Sequence, residues 1–191
     1  MDKEDILRLV ILGAGGHGNA VYDVAFANGN YDEIIFLDDH YDEGCTAINY
    51  GPTKTKCNLF GKCSDYKKFI DDNTEIYPAF GDNEVRLNWQ KEIKASGGKL
   101  PTIISKFAFV SRSAVVNEGT VVFPQAFIGA GSYISNCCII NAAAVVDHGC
   151  FIEEGVHINV GAVVMGENTV PRLSIIGADR IIKRRELYVG E

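Results

Sequence analysis

An aliphatic side chain occupies every sixth position from Ile104 to Ile182. The series is Ile104, Val110, Val116, Val122, Ile128, Ile134, Ile140, Val146, Ile152, Ile158, Val164, Val170, Ile176 and Ile182. Four places after most of these stands a small or thin residue: Ala108, Ala114, Thr120, Ala126, Ser132, Cys138, Ala144, Cys150, Val156 and Ala162. An amphipathic helix needs apolar spacings of three and four, so a strict period of six drifts off its face within two turns. A lone alternating strand has no need of a small residue at a fixed offset. The pattern fits a chain that turns a corner every six residues and stacks each inward aliphatic on its copy one coil away. It predicts a hexapeptide-repeat parallel β-helix over residues 101–191.

Residues 1–100 follow another pattern. Arg8–Leu12 reads as a short apolar strand, followed by Gly13-Ala14-Gly15-Gly16-His17-Gly18. Val21, Val24 and Ala25 predict a helix from Asn19 to Asn28, with Gly29 as its C-terminal stop. Glu33–Leu37 predicts a second strand ending in Asp38-Asp39. Glu75–Phe80 predicts a third, running into Gly81-Asp82-Asn83, with Asn83 as the cap of a helix from Glu84 to about Ala95. Strand, glycine turn and helix in this order predict an α/β, Rossmann-like domain with a parallel sheet. His40 to Asp65 reads as loop. Gly97-Gly98 and Pro101 mark the passage between the two domains.

Residues 13–18 satisfy Gly-x-Gly-x-x-Gly between a strand and a helix, with acids about twenty positions on. Glycines there let the backbone approach a phosphate, and a helix N-terminus offers amides and the positive end of its dipole. A nicotinamide dehydrogenase is one reading of that motif, and a turn made for packing is another. About a hundred residues leave little room for a full dinucleotide fold with a substrate domain, and the repeat half carries no hydride-transfer machinery.

Composition narrows the field. A 191-residue chain accommodates two small domains, and 47% hydrophobic residues suffice for their cores. The formal charge of −7 disfavours a nucleic-acid binder, and Lys183-Arg184-Arg185 reads as a solvated basic cluster. No apolar run is long enough for a membrane span. The start Met1-Asp2-Lys3-Glu4-Asp5 does not resemble a secretory leader. Six cysteines without such a leader suggest reduced thiols in a cytoplasmic protein. Cys138 and Cys150 fall on small inward positions, and Cys137 is an outward neighbour. Cys45, Cys57 and Cys63 lie in the loop-like stretch at spacings of no common zinc pattern.

Of the histidines His17, His40, His148 and His157, two fall in the repeat. His148 lies two places after inward Val146, at a corner. His157 precedes inward Ile158 and points outward. Such residues are either solvated or lie in a groove against a neighbouring subunit. A three-histidine zinc site is not expected, since only two are available.

The glycine loop, Leu37-Asp38-Asp39, Gly81-Asp82-Asn83 with Arg86, and the run Asn141 to Cys150 with Asp147-His148-Gly149 together resemble a known family. It is the hexapeptide-repeat sugar O/N-acyltransferases, which include sialic-acid O-acetyltransferases and N-acetyltransferases of nucleotide-linked 4-amino sugars. The resemblance spans nearly the whole chain. It implies a left-handed β-helix, a homotrimer, and acetyl-CoA bound between subunits as cosubstrate, with no metal. It further implies Gly15, Gly16, His17, Asp38, Asp39 and Gly81 at a nucleotide-sugar pocket, and His148 as general base with Asn141 beside it. His157, Gly166 and Gly177 would lie along acetyl-CoA, with His157 at the thioester.

The activity so implied is N-acetylation of a UDP-4-amino-sugar type of substrate. O-acetylation and a catalytically impaired nucleotide-sugar binder stand as alternatives. Two departures from the family accompany the resemblance. Gly149 stands where the family carries an acid after the histidine, and Asp147, on the other side, is not expected to replace it. The C-terminal part is shorter by about one coil, which removes part of the wall on which the family lays CoA.

Overall fold

The structure, a computed structural model, describes residues 7–41, 47–50 and 55–187, the side chains of 47–50 and 55–58 excepted. The chain divides into two compact units, Met1–Pro101 and Thr102–Glu191.

In the first unit β1 (Arg8–Leu12) is the centre of a three-stranded parallel sheet. It is flanked by β2 (Glu33–Leu37) and β5 (Thr74–Pro78), in the order β2-β1-β5. Leu9, Val10, Ile11 and Leu12 are all fully buried, as a central parallel strand covered on both faces requires. One face packs Val10, Leu12, Ile35, Leu37 and Ile76 against Cys63, Tyr66 and Ile93. α1 (Gly16–Asn28) begins three residues before the expected Asn19, because its first turn is made by the glycine loop itself. It ends on Gly29 in the left-handed conformation (φ 73°), whose amide returns to Ala25 and Phe26. α2 (Asn83–Ala95) is capped not by Asn83 but by Asp82, which accepts from the Val85 amide at 2.9 Å.

The stretch expected to be loop carries regular structure. β3 (Ala47–Tyr50) and β4 (Thr55–Asn58) form an antiparallel hairpin, and Cys63–Phe69 form a 3-10 helix. Only half of these eight residues are polar, but runs of four are too short for an apolar alternation to stand out. Cys63 lies not in a polar loop but in the core, 2% exposed. Cys45 lies outside the described residues, as does the Cys57 side chain.

The second unit is a left-handed parallel β-helix. Two-residue strands from Ile103–Ile104 to Ile181–Ile182 assemble into three parallel sheets of five, four and five strands. Each strand pairs with the one eighteen residues on: Phe127 with Val145, Tyr133 with Phe151, Ile139 with His157. The six-residue aliphatic series is the core. Val122 to Val170 in that series are 0% exposed, and the terminal members less fully buried.

Between strands lies a corner, and at every sixth residue from Gly119 to Arg185 the backbone has positive φ, between 54° and 71°. Gly119, Gly131, Gly149, Gly155 and Gly161 meet this at little steric cost. Gln125, Cys137, Ala143, Glu167, Leu173, Asp179 and Arg185 adopt it despite a Cβ.

The small inward positions do more than leave room. The Thr120 hydroxyl donates to the Ser135 carbonyl and accepts from the Cys138 amide (3.0 and 3.1 Å). Ser132 repeats this with Asp147 and Cys150. Asn168, 1% exposed, continues that column: its amide donates to Met165 and Lys183 carbonyls, and its oxygen accepts from the Leu187 amide. These bonds satisfy corner groups that face inward. Cys137, expected outside, is 0% exposed.

Truncating an inward aliphatic leaves a cavity the stacked coils cannot close. Ile152→Ala is therefore expected to cost about 3 kcal/mol and Ile152→Val about 1 kcal/mol, read from urea unfolding of the purified protein. Equal losses below about 0.5 kcal/mol would contradict the stacked core.

Candidate active site

At the carboxyl edge of the three-stranded sheet the chain leaves β1 through Gly13, whose amide donates to the Leu37 carbonyl at 2.8 Å. A Cβ on Gly18 would lie 1.9 Å from the Gly13 carbonyl oxygen, so only glycine allows this approach of helix to strand. Gly15 and Gly16 are exposed, and Gly15 heads α1 without a side-chain cap. The amide-rich end of the helix thus faces outward with its positive dipole end, a setting suited to an anion. His17 sits on that first turn with its ring 6.4 Å from Tyr77.

Asp38 and Asp39 hold this edge together. The Asp38 carboxylate accepts from the Ala14 amide at 2.8 Å and from the His40 amide at 2.9 Å, and it lies 2.9 Å from the His40 ring. Partial burial pushes its carboxyl up, but these amides and the ring outweigh it and leave it below its ordinary value. Asp39 accepts from the Cys63 amide at 3.1 Å. Burial, with Asp39 and Asp38 nearby, pushes the Cys63 thiol up to about 12, so it stays protonated.

Gly81 is exposed in the loop after β5, which Arg86 organises. The Arg86 guanidinium is fully buried and donates to the Phe80 and Gly81 carbonyls (2.9 and 3.3 Å) and to Asn83 Oδ1 (2.8 Å). The motif around Gly81 pointed to this arginine, but its burial was not readable from it.

On the β-helix, His148 occupies a corner with its side chain about half exposed. The ring does not stand away from Asp147. It turns back to that residue, with Nδ1 3.0 Å from Asp147 Oδ1, while the next residue, Gly149, makes the left-handed corner. Asp147 also accepts from the His148 amide at 2.7 Å and, through Oδ2, from the Gly166 amide at 3.2 Å. The His148 amide above all, then the ring, holds the Asp147 carboxyl below the ordinary carboxylate value against a smaller opposing effect of burial. Gly166 is buried directly under the imidazole, where a Cβ would come within 2.5 Å of Cε1. On the other side of the ring Glu167 Oε1 is 3.8 Å from Nε2, and Arg184 and Arg185 both pair with the Glu167 carboxylate. Glu167 was not foreseen, although it falls eighteen residues after Gly149, at the same corner one coil later.

His157 points outward from its strand, and Asn141 Nδ2 lies 3.3 Å from its Nε2 and 3.3 Å from Asn159 Oδ1. Asn141 is thus joined to His157 and Asn159, one coil on. An amide nitrogen is only a donor, so Nε2 of His157 accepts and its Nδ1 carries the hydrogen. Gly177 is exposed in a 560 Å³ cleft on the last coils, lined by Ser174, Ile175 and Arg180 among others.

In the first unit the expected residues lie at the carboxyl edge of the sheet; in the second they separate into His148 with Gly166, Asn141 with His157 rather than beside His148, and Gly177 in the cleft on the last coils. Among the described residues no three metal-ligating side chains converge, and no helix is long and apolar enough to cross a membrane.

Residues 8–93 match the PglD N-terminal domain. The acetyltransferase domain of PglB from Neisseria gonorrhoeae is 33% identical, with a TM-score of 0.86 over 94% of this chain and 83% of that one. The chain belongs to the hexapeptide-repeat sugar acyltransferases. A second structure of that PglB domain, in complex with acetyl coenzyme A, is likewise similar (32% identity, TM-score 0.84, the same coverage). PerB from Caulobacter crescentus, solved with CoA and GDP-perosamine, is 26% identical with a TM-score of 0.74, over 92% of this acyltransferase-family chain and 88% of PerB. The UDP-N-acetylbacillosamine N-acetyltransferase of Bacillus subtilis (strain 168) is 30% identical over 117 residues, 60% of this chain. That match spans half the length of the curated relative.

The role of Asp38 in holding the glycine loop has a measurable pH signature. With a folded value below its ordinary 3.8, its stabilisation is fully present above 3.8 and is lost as pH falls through the folded value. Asp38→Asn is expected to lower the melting temperature at pH 7, and the gap to wild type is expected to close on acidification below the ordinary carboxylate value. A gap that is constant with pH would exclude this role.

Proposed function

We propose that this protein transfers an acetyl group from acetyl-CoA to the amine of a nucleotide-linked amino sugar of the UDP-4-amino-sugar type, with His148 as general base. The observation that carries the reading is the exposed imidazole of His148, its Nδ1 turned to a carboxylate, on a β-helix like that of the PglB domain seen with acetyl coenzyme A.

The amine lone pair attacks the thioester carbonyl carbon. A carbon–nitrogen bond forms, the carbon–sulfur bond breaks, the amine proton passes to His148 Nε2, and the thiolate of CoA takes it up as it leaves. Two substrates must be held in line for the transfer. The uncapped end of α1 at Gly15, Gly16 and His17 suits the phosphates of the nucleotide, with Asp38, Asp39 and Gly81 shaping the same edge. On the β-helix His157 is assigned to the thioester, where charge develops on the carbonyl oxygen, with Gly166 and Gly177 along the CoA chain.

A homotrimer is part of this proposal. Exposed columns on two sheets support it: Phe109 stacks on Phe127 with ring centres 5.1 Å apart, and Tyr133 on Phe151 at 5.3 Å. In the proposed assembly acetyl-CoA lies between adjacent protomers. The buried free thiols fit a reducing, cytoplasmic setting.

His148→Ala is expected to abolish thiol release from acetyl-CoA in the presence of a nucleotide-linked amino sugar, while the oligomer elutes unchanged. Undiminished turnover would remove His148 from the mechanism.

A further inference from the structure

Resting on that reading, the surroundings of His148 decide which of its nitrogens can act. An ionised carboxylate only accepts hydrogen bonds. The contact of Asp147 Oδ1 with Nδ1 at 3.0 Å therefore places the hydrogen on Nδ1. Asp147 cannot turn away to release it, since its two oxygens also accept from the His148 and Gly166 amides. The ring is fixed from below as well. It lies on Gly166, and any side chain there would occupy the space of Cε1 and both nitrogens. At Nε2 the nearest carboxylate, Glu167, is 3.8 Å away, beyond hydrogen-bonding distance, and two guanidiniums hold it.

We infer that Asp147 is the positioning residue of His148: it keeps the hydrogen on Nδ1, presents the Nε2 lone pair to the acceptor amine, and steadies the imidazolium once Nε2 has taken the proton. Gly166 provides the floor on which that orientation rests. Glu167 adds a second negative charge near Nε2 without bonding to it, and Arg184 with Arg185 keeps it at that distance. The acid missing after His148 is replaced from both sides: from the residue before it, and from the equivalent corner one coil later. Gly149 fits this arrangement, because its left-handed φ of 61° makes the turn and the Glu167 stem lies 3.7 Å from where its Cβ would be.

The test has an arm that needs no substrate. Nitrogen-15 spectra of the imidazole of His148 are expected to show the neutral ring as the Nδ1–H form in the wild-type protein. In Asp147→Ala the ring is expected to revert to the Nε2–H form that histidine favours in water. In turnover, Asp147→Asn is expected to lower kcat about 100-fold with KM for both substrates little changed. Gly166→Ala is expected to lower kcat similarly, and the double variant by no more than either single one, because both act through the same ring.

An Nε2–H ring in the wild-type protein would overturn the inference. So would a kcat kept by Asp147→Asn in an enzyme that His148→Ala inactivates, and that outcome would leave the proposed function standing. Full turnover by His148→Ala would instead remove the function itself, whatever tautomer is observed.

Discussion

The β-helix depends on one backbone requirement: a residue in the left-handed conformation at every sixth position. Without that corner the two-residue strands would run on, the aliphatic column would leave the axis, and no prism would form. Seven of the twelve such positions are not glycine, and each carries a local strain of the order of 1–3 kcal/mol. Stacking of fully buried aliphatics and corner hydrogen bonds from Thr120, Ser132 and Asn168 offset it. The same corner sets the chemistry. The corner at His148-Gly149 places an imidazole on the outside of the prism, where it meets its neighbouring carboxylate.

The first unit builds its edge in a different way, from main-chain groups held by buried or half-buried ionic side chains. Asp38 ties the end of β2 to the glycine loop, and Arg86 gathers the carbonyls of the loop after β5. Gly18 brings helix and strand within reach of one another. These side chains act as supports, which leaves exposed glycines and an uncapped helix end to meet a ligand. The carboxylates at the end of β2 are already engaged by amides, so recognition there relies on shape and backbone donors as much as on free acid groups.

Much of this was readable from the residues alone. A period of six over fourteen positions admits no helix and no ordinary sheet, so the β-helix and its core residues followed directly, while the family came from the resemblance of the motifs around Gly15, Asp38, Gly81 and His148. β1 and β2 were legible because short apolar runs stood between turn residues. The corner conformation was not, since Gln125, Cys137 and Leu173 carry no mark of a left-handed backbone. The paired strands 47–50 and 55–58 were too short to show an apolar alternation. The surroundings of His148 were hidden for a geometric reason: contacts between coils join residues eighteen apart, whereas a linear reading looks to the neighbours. Gly149 read as a lost acid, while Glu167 at the equivalent corner supplies one, and Asp147 was discounted because it precedes His148 instead of following it, although the ring turns to it.

The central claim is that the amine to be acetylated meets His148 Nε2. A crystal structure with CoA and a nucleotide-linked amino sugar tests it most directly. The account predicts the sugar nitrogen about 3 Å from Nε2, in line with the CoA sulfur, and the nucleotide phosphates at the start of α1. A sugar amine bound away from His148, or a CoA sulfur that cannot approach it, would contradict the account.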